Sequence, residues 1–412
     1  MPSRLVVFAT MMVVSNTLLT PITREIYATK AHDRSGKLRS FSNPFFLEYV
    51  MFLAMACVGL VDVAIHCRRR KVRTSLVQAD LPGTPMLIAS DATPLKTPGT
   101  RLRRELLLLI IPAALDFLGS WLIFAGLLWV PASAETMLAS AGTVFNALIR
   151  WLFLKKPLRR KEVFAIAVLT CGCTLIGLSQ LLESKASSIG LSNTLLIGVG
   201  LCLCAELAMA AENSVGEVLL QQSELSTYAS VGAMGMYGVV AYVPIFAVLA
   251  ATPNPPALCN VSAIWHEDIR DDMHMLSDSA ELWILIGVAF VCLFFYNIGL
   301  FGVCEHGSAL QSAVLNLLVA PLVWLIDMSL YWTGHGRMGT AERWHELSWL
   351  QLVGFGLVIM GTVIFHYADG DGDIHSNVRD SATAHDEGVS PLLIVSRTAR
   401  DVVDAPRSQG RG

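Results

Sequence analysis

Residues 112–157 read PAALDFLGSWLIFAGLLWVPASAETMLASAGTVFNALIRWLFLKKP. Two apolar runs meet at Pro131, and the second ends in a basic foot at Lys155-Lys156. A helix rises 1.5 Å per residue, so about 20 mostly apolar residues cross a hydrocarbon core of about 30 Å. Each run has that length. The join at Pro131 is nearly seamless, so the two runs must form a tight hairpin of membrane-spanning helices.

The same reading extends outward to ten stretches: 4–22, 44–66, 105–129, 131–154, 162–182, 193–220, 227–250, 281–304, 307–331 and 347–367. A second hairpin is expected at Glu305-His306-Gly307. In lipid a backbone must satisfy its own hydrogen bonds, which leaves helices or closed barrels. Runs this long and apolar make the chain all-α, a polytopic membrane protein with ten transmembrane helices. Composition agrees: of 412 residues, 54% are hydrophobic and 15% charged, and the mean hydropathy is +0.55. Soluble domains carry about 25% charged residues. A disordered or nucleic-acid-binding chain is thereby excluded. Arg4 and the apolar run after it imitate a signal peptide, but no small-x-small cleavage site follows and Asn16 interrupts the run, so a mature helix is expected. The nine cysteines form no disulfide framework. Cys171/Cys173 and Cys202/Cys204 lie in apolar runs, where C-x-C spacing points to different helix faces.

Orientation follows from basic loops, which stay cytosolic. Loop 67–104 carries nine Lys and Arg, and loop 155–161 reads KKPLRRK. Ten helices then put both termini on the cytosolic side, with 20 basic residues there against nine opposite and Arg150 inside a helix. Loop 23–43 is the exception, with five bases on the luminal side. Loop 251–280 is luminal and holds the sequon Asn260-Val261-Ser262, a glycosylation site usable only there. Its His266, Glu267, Asp268, Asp271, Asp272, His274 and Asp278 show no recurring ligand spacing and read as a solvated acidic loop rather than a metal site. The tail 368–412 is rich in Asp and Ser and is expected to be a disordered cytosolic segment.

Residues 126–133 (GLLWVPAS) and 299–306 (GLFGVCEH) repeat at an offset of 173, with Gly126/Gly299, Leu127/Leu300 and Val130/Val303 coincident. Residues 1–184 and 185–367 are therefore expected to be two five-helix repeats. An odd helix number per repeat inverts the second half, a recurrent transporter plan with the substrate between the halves.

The run 112–157 with its hairpin, small-residue fourth helix and basic exit resembles the third-to-fifth-helix region of the drug/metabolite transporter superfamily. Asn16-Thr17-Leu18, Asn43-Pro44-Phe45, Phe294-Phe295-Tyr296-Asn297 and the pattern after Ser308 resemble solute carrier family 35, in particular its F subfamily. The resemblance spans roughly residues 5–367. It implies an endomembrane transporter (Golgi, lysosomal or vacuolar) of a small-molecule substrate, with a homodimer left open and no cofactor. The nucleotide-sugar branch often has a basic residue in the ninth helix. Here 307–331 has neither Lys nor Arg, which counts against a nucleotide sugar.

An ionisable group inside a span is costly unless it faces a cavity or a partner. The spans hold eight acids, Glu48, Asp62, Asp116, Glu135, Glu206, Glu212, Glu217 and Asp327, against one base, Arg150. Most lie within two turns of a helix end, where helix dipoles and snorkelling account for them. Asp116 and Glu206 do not: Asp116 is about 16 Å along its helix, and Glu206 lies as deep. Cys202, Glu206, Ala210, Asn213 and Glu217 share one face of the sixth helix, and Thr136, Ser140, Thr143 and Arg150 line the fourth. The expected site therefore has Glu206 as the coupling or substrate carboxylate and Asp116 supporting it. Asn16, Asn213, Asn297 and Asn316 supply hydrogen bonds. Such a site favours a cationic or zwitterionic solute, and its carboxyls can take up and return a proton.

Intramembrane protease motifs, clustered helical His and a P-loop are all missing from the spans, so an enzyme is not expected. Secondary active transport by alternating access, with proton coupling, is the leading expectation. A transport fold acting as a receptor or scaffold, and a nucleotide-sugar transporter, stay open as alternatives.

The topology is directly testable. A cysteine introduced into loop 67–104 should label only from the cytosolic side of sealed membranes, and Asn260 should carry a glycan. Labelling of that loop from the luminal side alone would overturn the orientation.

Overall fold

Most of the expected spans become helices of the expected extent; the third is interrupted near its start at Leu109 and the ninth in its middle. The computed structural model describes residues 2–41, 43–79, 98–126, 130, 132–153, 155, 158–186, 193–223, 225–251, 269–332, 344 and 347–387. Helix α1 (Pro2–Ala28) is followed by strands β1 (Lys30–His32) and β2 (Leu38–Ser40), then α2 (Pro44–Ala79), α3 (Pro98–Leu108), α4 (Ile110–Gly126), α5 (Ala132–Leu152) and α6 (Arg160–Ala186). The second half has α7 (Asn193–Gln222), α8 (Thr227–Ala251), α9 (Ile269–Asp278), α10 (Ala280–His306), α11 (Ala309–Asn316), α12 (Val319–Trp332) and α13 (Ser348–Glu387). Among the described residues nine helical segments are long and apolar enough to cross a membrane. The tenth expected span, α5, is not one of them, because Ser133, Glu135, Thr136, Ser140, Thr143, Asn146 and Arg150 fall within its 21 residues. The ninth expected span is α11 and α12 in series. At the break, Leu317 and Leu318 donate to Val314 and Leu315, three residues back, in a tightened turn.

Small residues take much of the inward face of α8 and large apolar ones its outward face. On α8, Ser230, Gly232, Gly235 and Gly238 face inward, while Met236, Val240 and Val243 are exposed. Lipid is as apolar as Val, so burying large side chains gains little there, and small residues win the interior by letting backbones approach. Cys173 and Cys202 are buried while Cys171 and Cys204 are exposed, as the C-x-C spacing requires.

Glycines fix which helices touch. Helix α2 packs along α8, α6 along α13, α1 along α10 and α4 along α7. A Cβ on Gly59 of α2 would lie 3.1 Å from Cα of Gly232 on α8. A Cβ on Gly172 of α6 or Gly354 of α13 would lie 2.8 Å from the other's carbonyl oxygen. On α4, a Cβ at Gly126 would meet Cys202 Sγ at 2.5 Å and the Gly198 oxygen at 3.3 Å. On α10, a Cβ at Gly299 would meet Met12 N at 2.5 Å and the Phe8 oxygen at 2.8 Å. Helix α7 therefore meets the end of α4 with its N-terminal part. Its last turn meets the α10–α11 turn, where Gln221 Nε2 donates to the Gly307 oxygen at 3.1 Å. Gly126 and the α10–α11 turn thus lie at opposite ends of α7.

Three expectations change. The acidic loop is not simply solvated: Asp271, Asp272, His274 and Asp278 lie on α9, which docks against the β1–β2 hairpin, the one departure from all-helical structure among the described residues. Arg34 N donates to Asp271 at 2.9 Å, His32 N to Asp278 at 3.0 Å, and Asn43 donates to the buried Asp272. Loop 23–43 is thus docked on acids of α9, with Arg39 4.0 Å from Asp271. His266, Glu267, Asp268 and Asn260 lie outside the described residues. The backbone N–H and then the ring of His32 hold the Asp278 carboxyl below the usual carboxylate range. These contacts support the cap at neutral pH and fade as acidification passes that lowered value. Arg150 does not simply snorkel, because it approaches Glu162 of α6 at 3.9 Å. Finally, α13 continues past residue 367 to Glu387, so the expected disordered tail starts as helix. A formed helix spares its extension the cost of nucleation. Residues 388–412 lie outside the described residues.

Gly354→Ala should cost about 1–3 kcal/mol in a reversible unfolding assay, the usual penalty for overpacking. Gly356→Ala, two residues on, meets nothing within 4 Å and should leave stability within about 0.5 kcal/mol. Equal stability of the two variants would contradict the close α6–α13 contact.

Candidate functional site

The α4–α7 contact sets the site. Gly126 lies on Cys202 and Gly119 on Met209, so seven residues along α4 match seven back along α7. Three further residues in the same register bring Asp116 opposite Glu212. Asp116 is 4% exposed and Glu212 1%, and each lies within reach of the other's charge. Ser120 Oγ donates to Asp116 Oδ1 at 3.1 Å, while Asp116 Oδ2 and Glu212 Oε2 are buried without a hydrogen-bond partner.

Other helices extend this acidic centre. Glu48 of α2 is fully buried, receives the Tyr242 hydroxyl of α8 on Oε2 at 2.7 Å, and feels the charge of Asp116. The half-buried Tyr296 of α10 feels Glu212, Asp116 and Glu206 together. Glu206 is half-buried, and its carboxylate lies against Gly142 of α5, where a Cβ would collide with Oε2. A larger residue at 142 would displace it. Asn213 is buried beside Glu212 in sequence, with Oδ1 lacking a partner.

The amides divide. Asn16 Nδ2 of α1 donates to Asn316 Oδ1 of α11 at 2.7 Å. Both line a cavity of about 70 Å³ with Thr20, Ala139 and Cys173 among its other walls. None of the acids lines it. Helix α5 joins the two groups, since Ala139 faces the cavity and Gly142, one turn on, receives Glu206. Asn297 belongs to neither group by its hydrogen bonds: it is buried and donates to the Leu293 oxygen of its own helix at 2.9 Å.

Among the residues expected from sequence, Asp116, Glu206 and Asn213 come from the two helices of the acidic centre, Asn16 and Asn316 form the amide pair, and Asn297 is satisfied locally. Sequence reasoning missed Glu48, Glu212, Tyr242 and Tyr296. Glu212 carried a signal, since it is closer in register to Asp116 than Glu206 is. Glu217, read as a helix-end acid, serves the framework, because its Oε2 accepts from the backbone N–H of Ala309 at 2.9 Å and caps α11.

The model of the family described as purine nucleobase transmembrane transport matches residues 84–371. Solute carrier family 35 member F6 of Homo sapiens is 23% identical over 337 residues, 80% of each chain. The Mus musculus protein of the same name is 23% identical over 333 residues, covering 79% of this chain and 78% of its own. An uncharacterized protein of Schizosaccharomyces pombe is 27% identical over 259 residues, 62% of this chain and 72% of its own. The resemblance to the F subfamily of solute carrier family 35 therefore extends over most of the chain.

A double-mutant cycle of Asn16→Ala and Asn316→Ala should return a coupling of about 0.6–1.7 kcal/mol in stability, the range of hydrogen bonds between membrane helices. Additive single effects would show that the two amides do not interact.

Proposed function

Because the chain belongs to the family of purine nucleobase transmembrane transport, we propose that it is a secondary transporter that carries a small polar metabolite by alternating access between two inverted five-helix halves. The carrying observation is the opposition of Asp116 and Glu212, one acid from each half, buried with acceptor atoms that lack donors. A purine nucleobase presents N–H donors on a flat polar edge and fits such acceptors. A phosphorylated sugar does not, because the base within the spans, Arg150, is paired with Glu162.

The glycine contacts support the inverted halves. Gly126 meets residues 202 and 198 as Gly299 meets residues 12 and 8, so the exchange 126/299 carries an offset of 173 and α1/α7 an offset of 190. The offset of 173 also relates Gly59 to Gly232, which touch each other as partners across a two-fold axis would. By the 190 offset Asn16 corresponds to Glu206. Asn16 bonds to Asn316, and Glu206 sits on Gly142, next to the position that the 173 offset relates to Asn316. Two related half-sites then flank the middle of the membrane, as alternating access needs. In this reading both termini are cytosolic, Asn260 is a luminal glycan site, the compartment is an endomembrane, and Glu206 and Asp116 handle substrate or proton.

The test is uptake of radiolabelled adenine, guanine and hypoxanthine by purified protein in liposomes, with and without a pH gradient. Wild type should accumulate at least one of them under the gradient. Glu206→Gln and Asp116→Asn, each checked for folding, should slow uptake about tenfold, the loss of one charge-assisted contact of about 1.4 kcal/mol. Wild-type rates and unchanged pH dependence in both variants would sink the assignment. A folded wild type that binds nucleobases but never moves them would favour a receptor.

A further inference from the structure

The acids around Asp116 have too few hydrogens. Asp116 Oδ2, Glu212 Oε2, Glu48 Oε1 and the amide oxygen of Asn213 are all buried acceptors without a donor. A buried acceptor left unmade costs about 1–3 kcal/mol. Ionised carboxylates only accept, whereas a protonated carboxyl also donates. One proton placed between Asp116 and Glu212 therefore satisfies two of these atoms at once. Two like charges held together in low dielectric strongly disfavour double ionisation, which supplies the same proton on electrostatic grounds.

The groups within charge reach of this pair are the acid Glu48, the hydroxyl of Tyr296 and the thiol of Cys304, and the last two in turn feel Glu206 and Glu217. None is a cation. Tyr242 adds a neutral hydroxyl on Glu48. Glu48 lies near the start of α2, next to Asn43 and the β1–β2 cap, so it stands between Asp116 and that end of the bundle.

Resting on the transporter reading, we propose that Asp116 and Glu212 form a proton-binding site in which the two carboxyls share a single proton, and that Glu48 with Tyr242 is the path by which that proton is exchanged with the β1–β2 end of the protein. Loading adds one proton from water to one carboxylate, with its O–H donated to the other. Unloading returns that proton to water and leaves both carboxylates to separate or to take new donors from a solute. No other bond changes. The pair spans the interface between the halves, so it can be held together only when α4 and α7 are in contact, which ties proton occupancy to helix position.

Infrared difference titration of the purified full chain tests the site without any solute. Wild type should show a protonated-carboxyl C=O band that shifts in D2O and titrates between mildly acidic and mildly alkaline pH. Glu212→Gln and Asp116→Asn should each remove it. A glutamine at 212 donates as the protonated acid does but cannot release a proton, so Glu212→Gln in liposomes should lose gradient-driven accumulation of adenine or hypoxanthine more than about tenfold. Tyr242→Phe retains every carboxyl and should move the pH midpoint of uptake while counterflow persists. A titrating band that survives unchanged in both acid variants, or gradient-driven accumulation that survives in Glu212→Gln, overturns the site while leaving the transporter reading standing. A wild type with the band but with neither counterflow nor uptake overturns the transporter reading and keeps the site.

Discussion

The approach of α4 to α7 at Gly119 and Gly126 is the contact on which the site depends. With no Cβ at those two positions the backbones come within side-chain distance, and the register leaves Asp116 facing Glu212. Larger residues there would push the helices apart and let water or lipid reach both acids. In the apolar interior of a membrane such packing has no hydrophobic drive behind it, so close fit itself must supply the attraction. The same device recurs at Gly299 against α1, at Gly59 against Gly232 and at Gly172 against Gly354. Glycine thus places both the framework and the chemistry.

That framework explains why the costly groups are tolerated. Buried acids in a span are retained where they face partners or a path for ions. Here Glu217 caps α11 and Glu162 holds Arg150, whereas Glu48 takes the Tyr242 hydroxyl on one oxygen and keeps the other open. Asp116 and Glu212 keep oxygen atoms with no such partner. Structural acids are satisfied by the protein itself, and the remainder mark where something must come and go. A small polar solute and a proton are the two cargoes that this arrangement suits.

Much of this was legible from residue types. The twenty-residue apolar runs placed the helices, Gly126 and Gly299 marked two of the close helix contacts, and the depth of Asp116 along its helix singled it out. Glu48 escaped because depth counted from a helix end measures distance to water only when that end is open. The end of α2 lies beneath a cap made by residues 30–40 and α9, whose contacts join segments more than 200 positions apart and leave no local trace. Asn297 misled for the opposite reason, since an amide in a helix can satisfy itself on the turn behind it. The polarity of α5, which the sequence already showed, follows from its place in the bundle, where Gly142 and Ala139 face the site.

If the shared proton drives transport, solute movement and proton movement are one event. A pH-sensitive dye trapped inside liposomes reads this directly, with a nucleobase added outside, no gradient imposed and the membrane potential clamped. The interior pH should then move with solute entry, at a fixed number of protons per molecule whatever the solute concentration. Nucleobase entry at full rate with no change of interior pH would contradict it.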